Sequence, residues 1–396
     1  MTAISPTFTW VDSFATICNI TAFRNRSNLS PNPVPTSKSH QEKPNREKLF
    51  KEIVSGQRRG GLASLLRFGL WLLSFPYAWA VALRNRGFDR GRNVNKVNAP
   101  VIAIGNLTTG GTGKTPLVCY FANKFRELDF RVAILSRGYG ADESGVNDEA
   151  LELEFRLPDV PHLQDPDRKR MADIAIEELE SEVLILDDGF QHRKLHRDVD
   201  LLVVDATCPF GYDHLLPRGL LREPVDNLKR ADVIILNRCN FVSKKEVTAI
   251  KEQIRTIQPD ALIVEAETIA EELVDQHGHS QEIDTITGQK VLAFCGIGNP
   301  AGFRSTLEKC QVELLELREF PDHHRYDRED IDQIKEWVAA HPDCQTVLCT
   351  HKDLVKINLM QIAGKPLRAI MISNRIRLRE RVLWQTIHEK MQQPPE

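Results

Sequence analysis

A glycine-rich segment between an apolar run and an amphipathic run carries the strongest chemical signal in the sequence. Backbone N–H groups of such a turn bind phosphate oxygens, and the helix that follows adds positive potential at its N-terminus. A lysine at the start of that helix reaches the β- and γ-phosphates, and the next hydroxyl ligates Mg²⁺. The predicted nucleotide-binding residues are consecutive: Thr108, Thr109, Gly110, Gly111, Thr112, Gly113, Lys114 and Thr115.

The spacing departs from the strict phosphate-loop pattern at one position. Thr108 stands five residues before Gly113, where that pattern has glycine. A glycine-rich turn with an incidental lysine is the alternative interpretation. The strand-like run directly before the turn and the helical pattern directly after it favour a phosphate loop, in which Lys114 also serves catalysis.

Two adjacent carboxylates, Asp187 and Asp188, follow the apolar run 182–186 and precede a glycine. A carboxylate at the tip of a strand beside a phosphate loop holds Mg²⁺ directly or through water. An aspartate that caps a turn is the alternative. We predict that both acids form a magnesium site together with Thr115.

Short apolar runs alternate with helical stretches after residue 99. Continuous apolar runs in this arrangement indicate a buried parallel sheet with helices on both faces, and ligands of such sheets gather at the carboxyl ends of the strands. The predicted fold is α/β, with a P-loop NTPase-like domain at 99–280 and a smaller α/β domain at 281–396. The predicted strands are 100–104, 131–135, 182–186, 200–204, 232–236, 261–264, 290–294, 346–349 and 369–372.

Residues 1–48 differ in composition from the rest of the chain. They are rich in serine, threonine, asparagine and proline, contain few acids and lack hydrophobic periodicity. This composition suits an organellar transit peptide, and equally a disordered extension that begins at an upstream start codon.

Residues 49–98 form a basic and aromatic segment. Between residues 40 and 96 there are twelve basic and four acidic residues, a net charge of +8 in a protein of −3. The charge-free run 68–83 contains Pro76 and is shorter than the about 20 residues that a spanning helix needs. Aromatic residues and basic flanks favour a helix at a membrane surface, and a helix packed on the core is the alternative.

The overall composition excludes some classes of protein. The chain has 52 basic and 55 acidic residues, whereas nucleic-acid-binding proteins usually carry a strong basic excess. We therefore expect no nucleic-acid partner. The eight cysteines include no CxxC pair, which argues against a zinc ribbon or a redox motif.

Seven stretches, in chain order, resemble the tetraacyldisaccharide 4′-kinase family of lipid A biosynthesis. The resemblance covers about residues 50–390. It is specific, because no other family known to us combines stretch 105–116 with stretch 187–192. It implies an ATP-dependent enzyme that phosphorylates the 4′-hydroxyl of an acylated glucosamine disaccharide 1-phosphate. The stretches are 105–116, 136–139, 147–149, 187–192, 216–224, 294–300 and 320–323.

The resemblance also implies a location and roles for particular residues. The family's enzymes lie on the cytoplasmic face of the bacterial inner membrane; an organellar location would require that the extension be a transit peptide. Asp148 with His323 would form the base that acts on the sugar hydroxyl, since a weakly acidic hydroxyl needs a positioned proton acceptor. Glu149 would contact Mg²⁺, and Arg222 would neutralise charge on the phosphoryl group. His324 fits less well than His323, because the family motif aligns on Asp-His.

Several assignments stay open at this level. Ser136, Arg137 and Tyr139 follow a predicted strand and are candidates for substrate contact. Any one of residues 168–170, all basic, could reach a phosphate. The stretch 350–353 is similar to the base-reading motif of GTPases, although an aspartate that caps a helix explains it equally well. A regulatory GTPase or metallochaperone, or a non-catalytic nucleotide sensor, is therefore an alternative function.

Overall fold

Two parallel half-sheets, joined by one antiparallel pair of strands, form the framework of the protein. The computed structural model describes residues 46–138, 148–322 and 324–392, without the side chains of residues 46–48, 148 and 149. The strands in this part of the chain are β1 (Val101–Asn106), β2 (Val132–Ser136), β3 (His162–Gln164), β4 (Val183–Asp187), β5 (Val199–Asp205), β6 (Val233–Asn237), β7 (Leu262–Val274), β8 (Ser280–Glu282), β9 (Lys290–Cys295), β10 (Glu313–Glu319), β11 (Thr346–Thr350), β12 (Gln361–Ile362) and β13 (Lys365–Leu378).

Helices connect most of these strands. In the same described residues they are α1 (Arg46–Val54), α2 (Gly61–Asp89), α3 (Lys114–Glu127), α4 (Asp148–Arg156), α5 (Arg168–Glu177), α6 (Lys244–Ile257), α7 (Pro300–Lys309), α8 (Arg328–Ala339), α9 (His351–Ile357) and α10 (Glu380–Gln392).

The strand order places the phosphate-loop strand inside the first half-sheet. This half-sheet runs β3-β2-β4-β1-β5-β6-β7 and is parallel throughout. The second half-sheet runs β13-β11-β9-β10 and is also parallel. The long strands β7 and β13 pair antiparallel with each other and join the two half-sheets. The short strands β8 and β12 pair with β7 and β13.

Helices cover both faces of the first half-sheet. Successive side chains of a strand point to opposite faces, and every residue of β1 is buried. Ile102 shares a buried cluster with Phe121 of α3, and Ala103 lies in a separate cluster with Ala172 of α5. Burial on both faces explains why these strands are continuous apolar runs, and it confirms the α/β prediction.

The carboxyl edges of the two half-sheets point toward each other, because β7 and β13 run in opposite directions. Leu236, near the end of β6, pairs with Glu265 of β7. Thr350, at the end of β11, pairs with Ile370, whose partner on β7 is Leu273. These two positions on β7 are eight residues apart, about 26 Å along an extended strand. Loops from both edges therefore lie on the same stretch of the β7–β13 pair.

Each of the nine predicted strands overlaps an observed one, with bounds that differ by a few residues or extend further. The predictions missed the four strands β3, β8, β10 and β12 and the antiparallel pairing of β7 with β13. The described chain belongs to one compact unit, and the predicted division near residue 280 stays a prediction. The predictions for residues 1–45 lie outside the described residues.

Helix α2 exposes an unusually apolar surface. In the part of the chain that the structure describes, it is the helix long and apolar enough to cross a membrane, by length and composition only. It is 29 residues long and continues through Pro76. The exposed fractions of Leu62, Phe68 and Trp79 are 71%, 55% and 67%. Its opposite side packs against the rest of the protein through Leu70 and Val81.

Candidate active site

The phosphate loop connects the buried strand β1 to the first turn of α3. Gly110 has a φ of 101° and Gly113 a φ of 77°, backbone conformations that favour glycine. A Cβ atom on Gly113 would also lie 2.6 Å from Nδ2 of Asn237. Lys114 and Thr115 occupy the first turn of α3, where a helix N-terminus attracts anions. The loop therefore has the geometry predicted for a phosphate-binding turn.

Side chains from outside the loop bind three successive backbone carbonyls within it. Two donors follow or end β6 and the third lies on β13, so both half-sheets contribute. With these carbonyls occupied, the loop conformation is fixed by partners that are not part of the loop. The hydrogen bonds are Arg238 Nη1 to Gly111 O at 3.0 Å, Asn237 Nδ2 to Thr112 O at 3.1 Å and Asn374 Nδ2 to Gly113 O at 3.2 Å.

Sequence reasoning missed these three donors. Asn237 and Arg238 follow an apolar strand at the carboxyl edge, a signal that could have marked them. Asn374 lies in the second half of the chain and reaches the loop only through the pairing of β7 with β13.

Two cations and one carboxylate converge beside the loop. Arg222 binds Asp188 through both branches of its guanidinium, at 2.8 and 2.9 Å, and Lys114 Nζ lies 3.3 Å from Asp188 Oδ1. Lys114 also donates to Asn106 Oδ1 at 3.1 Å, and Arg222 donates to the same amide oxygen. Planar guanidinium groups match the geometry of carboxylate and phosphate oxygens, so this centre is suited to bind a phosphoryl group.

Charge interactions keep this centre ionised. Burial alone would raise the pKa of Asp188, but the charges of Lys114 and Arg222 outweigh it and lower that pKa. The negative charge of Asp188 in turn raises the pKa of Arg222, against the opposing effect of burial. Asp188 and Arg222 are therefore both charged near neutral pH.

The predicted magnesium ligands lie at the carboxyl edge of the first half-sheet. Asp187 ends β4 and is buried beside β1, where its Cα atom pairs with that of Ile104. Asp188 follows with a φ of 52°. Thr115 is buried in the first turn of α3, and the Oγ1 atom of Thr112 is buried without a hydrogen-bond partner among the described residues. Hydroxyl and carboxylate oxygens are the ligands that Mg²⁺ prefers, so this donor set fits the ion.

A single segment, residues 214–224, carries Arg222 and lines the phosphate loop. The backbone N–H of Thr109 donates to Leu220 O at 2.8 Å, and that of Arg222 donates to Leu107 O at 2.7 Å. The other side of this segment contacts α2, where Tyr77 Oη donates to Arg222 O at 2.9 Å. The position of Arg222 thus depends on two neighbours, the phosphate loop and α2.

The predicted base is only partly covered by the described residues. His323 and Tyr139 lie outside them, as do the side chains of Asp148 and Glu149. Helix α4, which begins at Asp148, contacts the second half of the chain, because the ring of Phe155 lies 4.3 Å from that of His351. His324, the alternative to His323, has its Nε2 2.8 Å from Oδ2 of Asp330. This contact pairs the His324 ring with Asp330, and the choice of His323 stays a prediction.

Burial separates the three basic residues at the start of α5. Arg168 is only 3% exposed, Lys169 is paired with Asp173, and Arg170 is exposed. Burial and the charge of Arg137 lower the pKa of Arg168, while Asp188 and Asp187 act in the opposite direction. Arg168 is therefore electrostatically coupled to the two aspartates of the site. Ser136 Oγ lies 2.7 Å from Nε2 of His162, next to this group.

The surroundings of Asp353 are those of a structural residue and not of a residue that recognises a nucleotide base. It lies in the first turn of α9, where the Thr350 side chain accepts a hydrogen bond from its backbone N–H. Its carboxylate is fully buried and accepts from Gly296 N at 3.0 Å and Tyr326 Oη at 2.9 Å. Thr350 and not Asp353 therefore caps α9, so the prediction of an aspartate cap is wrong, and the carboxylate of Asp353 instead binds neighbouring loops.

The fold and this centre define a P-loop phosphotransferase. A model of the family LpxK, tetraacyldisaccharide-1-P 4′-kinase, matches residues 66–392. Two relatives named tetraacyldisaccharide 4′-kinase, from Anaeromyxobacter dehalogenans and Halothermothrix orenii, are each 37% identical to the chain. They cover 80% and 79% of it, and each match spans 88% of the relative. The chain belongs to the tetraacyldisaccharide-1-P 4′-kinase family.

A solved structure agrees with this membership. The crystal structure of LpxK from Aquifex aeolicus in complex with ATP matches with a TM-score of 0.64 and 28% identity, over 82% of this chain and 99% of that chain. These findings confirm the predicted family, the fold class and the enzyme class, a tetraacyldisaccharide 4′-kinase. They do not favour the regulatory GTPase. The roles of individual site residues remain predictions.

Proposed function

We propose that this chain transfers the γ-phosphate of ATP to the 4′-hydroxyl of a tetraacylated glucosamine disaccharide 1-phosphate at a membrane surface. One observation carries the proposal: Lys114 and Arg222 converge on Asp188 beside a glycine-rich loop, at an edge that faces the second half-sheet. The relative from Aquifex aeolicus, solved with ATP, supports the choice of nucleotide.

In the proposed reaction Lys114 and Arg222 exchange the carboxylate of Asp188 for phosphate oxygens. Lys114 binds between the β- and γ-phosphates, and the guanidinium of Arg222 binds the transferring group through two N–H donors. Phosphoryl transfer depends mainly on positioning and on charge stabilisation, so two fixed cations supply much of the catalysis. Asp188 keeps both cations in place before the phosphates bind.

Thr115, Asp187, Asp188 and Glu149 would hold Mg²⁺ in this proposal. Bound there, the ion would supply positive charge that neutralises the phosphate oxygens of the nucleotide. The described oxygen donors fit it, since Thr115 and the two aspartates lie at one edge of the sheet. Asp187 would be held most rigidly, because it is part of β4.

The proposed base is the carboxylate of Asp148, acting with His323. The carboxylate accepts the proton of the 4′-hydroxyl as the sugar oxygen bonds to phosphorus, and the bond from phosphorus to the ADP oxygen breaks. The imidazole orients the carboxylate and tunes its pKa. Asp148 is the first residue of α4, which follows β2 of the first half-sheet, and the described neighbours of His323 lie between β10 of the second half-sheet and α8.

Arg168 would bind a phosphate group of the substrate or of the nucleotide. It is buried, and its Nε atom has no hydrogen-bond partner among the described residues. A buried cation without such a partner is costly unless an anion binds it. The proposal therefore selects Arg168 over its two basic neighbours.

Helix α2 would lie on the cytoplasmic face of the inner membrane. Its exposed apolar residues and basic flanks are typical of helices that bind at the boundary between headgroups and acyl chains. The acyl chains of the substrate are buried in the same leaflet. An enzyme at the surface therefore meets the sugar hydroxyl without extracting the lipid.

The decisive experiment measures transfer of labelled γ-phosphate from ATP to tetraacyldisaccharide 1-phosphate in mixed vesicles. We expect Lys114→Ala to lower the rate by roughly 10³-fold, because it removes a cation from the phosphoryl group. Transfer by the unmodified protein no greater than by Lys114→Ala would overturn the proposal. Turnover of GTP in preference to ATP, without lipid phosphorylation, would favour a GTPase.

A second variant separates a kinase from a nucleotide sensor. Asp148→Asn should lower kcat by about 10²- to 10⁴-fold, since a general base is lost, while the Kd for ATP stays the same. A sensor has no turnover to lose. Full turnover by Asp148→Asn would reject the assignment of the base.

Membrane binding is tested on the outward face of α2. The double variant Leu65→Ser/Trp79→Ala should weaken co-sedimentation with anionic vesicles, because it removes exposed apolar area. Leu128→Ser, at another exposed leucine, is the matched control and should sediment like the unmodified protein. Equal sedimentation of all three proteins would contradict a membrane role for α2.

A further inference from the structure

We propose that the inward face of α2 positions Arg222, so that this helix belongs to the phosphoryl-transfer apparatus as well as to the membrane-binding surface. Tyr77 and Glu223 are the positioning residues in this proposal. The inference rests on the proposed function, because it assigns Arg222 to the transferring phosphate.

The two faces of α2 have different chemistry. Large apolar residues occupy the outward face, as described above. The inward face carries Ser74, Tyr77, Arg84 and Asn85, whose spacing follows the helical repeat and places them along one side. The buried Leu70 and Val81 on this side would be enough to pack a helix that served only as an anchor. Hydrogen-bonding side chains there indicate a specific partner.

That partner is the segment 214–224, which carries Arg222. Ser74 Oγ donates to Leu215 O at 3.1 Å, and Tyr77 Oη donates to the backbone carbonyl of Arg222 itself at 2.9 Å. Each contact fixes the backbone of the segment at one point. The next contacts between α2 and this segment involve Glu223.

Glu223 ties the segment to α2 through a buried carboxylate. Its side chain is fully buried and receives one hydrogen bond from each of four donors, so all its charge is matched within the protein. Two donors belong to α2 and two to the short helical turn that follows the segment. They are Arg84 Nη2 at 2.9 Å, Asn85 Nδ2 at 3.3 Å, Asn227 Nδ2 at 2.6 Å and Arg230 Nη2 at 2.6 Å.

The opposite side of the same segment forms a wall of the phosphate loop. The backbone bonds from Thr109 to Leu220 and from Arg222 to Leu107 lie on this side. The segment is therefore held between α2 and the loop that binds the nucleotide. Because a misplacement of about 1 Å in a reacting group lowers rates by about 10²-fold, loosening one side of this arrangement should reduce turnover.

Tyr77→Phe tests the proposal, because it removes one hydroxyl and keeps the ring. We expect kcat to fall by about 3- to 10-fold, the equivalent of one hydrogen bond, with the KM for ATP and vesicle co-sedimentation unchanged. Tyr120→Phe is the matched control: its hydroxyl donates to Glu380, away from Arg222, and kcat should be that of the unmodified protein.

A double-mutant cycle distinguishes positioning from a general structural role. If Tyr77 acts through Arg222, Tyr77→Phe should change kcat by less than about twofold when Arg222→Lys is already present. A merely structural role would multiply the two losses, and that result would overturn the proposal. So would an unchanged kcat for Tyr77→Phe alone. Absence of kinase activity in the unmodified protein would instead reject the proposed function.

Discussion

Each half-sheet has an aspartate at its carboxyl edge that the sequence marks as a candidate functional residue. Asp188 follows β4 in the first half-sheet, and Asp353 follows β11 in the second. The side chain of Asp188 is 44% exposed and bound by two cations, which lower its pKa. Asp353 is fully buried and bound by neutral donors, and burial raises its pKa.

The difference separates a proposed site acid from a structural acid at the carboxyl edges of the two half-sheets. Cations beside Asp188 are available to a phosphate, because a phosphate oxygen offers them the same geometry as the carboxylate. The partners of Asp353 are a backbone N–H and two hydroxyls, which hold two loops and a helix end together. Both residues are aspartates that follow a buried parallel strand, so their neighbours decide the role.

Among the variants that test this comparison, Asp188→Asn should produce the largest effect on activity. It removes a charge that positions Lys114 and Arg222 and that is a proposed Mg²⁺ ligand, so kcat/KM should fall by roughly 10³-fold. Steady-state kinetics with ATP and lipid substrate measure this change. Asp353→Asn is the matched control and should retain kcat within about threefold, since its amide keeps part of the hydrogen bonding. Equal losses of activity in the two variants would contradict the different roles given to Asp188 and Asp353.

Arg222→Lys tests whether the site at the carboxyl edge of the first half-sheet needs a planar guanidinium or only a positive charge. A lysine preserves charge but loses the bidentate geometry, so kcat should fall by about 10²-fold. The KM for ATP should change much less, because the loss falls mainly on the transition state. Arg131→Lys, at an exposed surface ion pair, provides the control. A variant with nearly normal kcat would show that charge alone suffices.

Short-range sequence patterns made the site at the carboxyl edge of the first half-sheet predictable. The strand, the glycine turn and the helix at Lys114 lie within one short stretch, and the structure places them as the sequence suggests. The two acids after β4 are likewise local to a buried strand. In each case the chemistry follows from residues that are neighbours in the chain.

Contacts between distant residues could not be predicted in this way. Asn374 reaches the phosphate loop only because β13 pairs antiparallel with β7, and no local pattern encodes that pairing. Arg168 differs from its two basic neighbours only in burial, which depends on packing. Asp353 resembles a base-reading residue in sequence, and only its buried partners reveal its role.

Asp353→Ala should mainly lower stability. It leaves the hydroxyl of Tyr326 and the N–H of Gly296 without their acceptor in a buried site, so the free energy of unfolding should fall by about 2–3 kcal/mol. Urea unfolding measures the change. Asp343→Ala, which removes an exposed ion pair with Lys290, should cost less than about 1 kcal/mol. A loss of activity without a loss of stability would assign Asp353 to the chemistry after all.

His351, at the carboxyl edge of the second half-sheet, should account for part of the loss of stability in mild acid. Burial lowers the pKa of His351 to about 4; Glu152 opposes this shift and Arg156 adds to it. The unfolded chain binds the proton first, so stability falls as the pH drops below about 6.5 toward 4. Asp188 stays ionised throughout this range because its pKa is lowered. Replacing His351 by Gln should therefore reduce the difference in unfolding free energy between about pH 7 and about pH 5 by about 1–2 kcal/mol. His388→Gln, at an imidazole on the C-terminal helix α10, is the control, and an equal reduction in both variants would contradict the assignment to the buried edge.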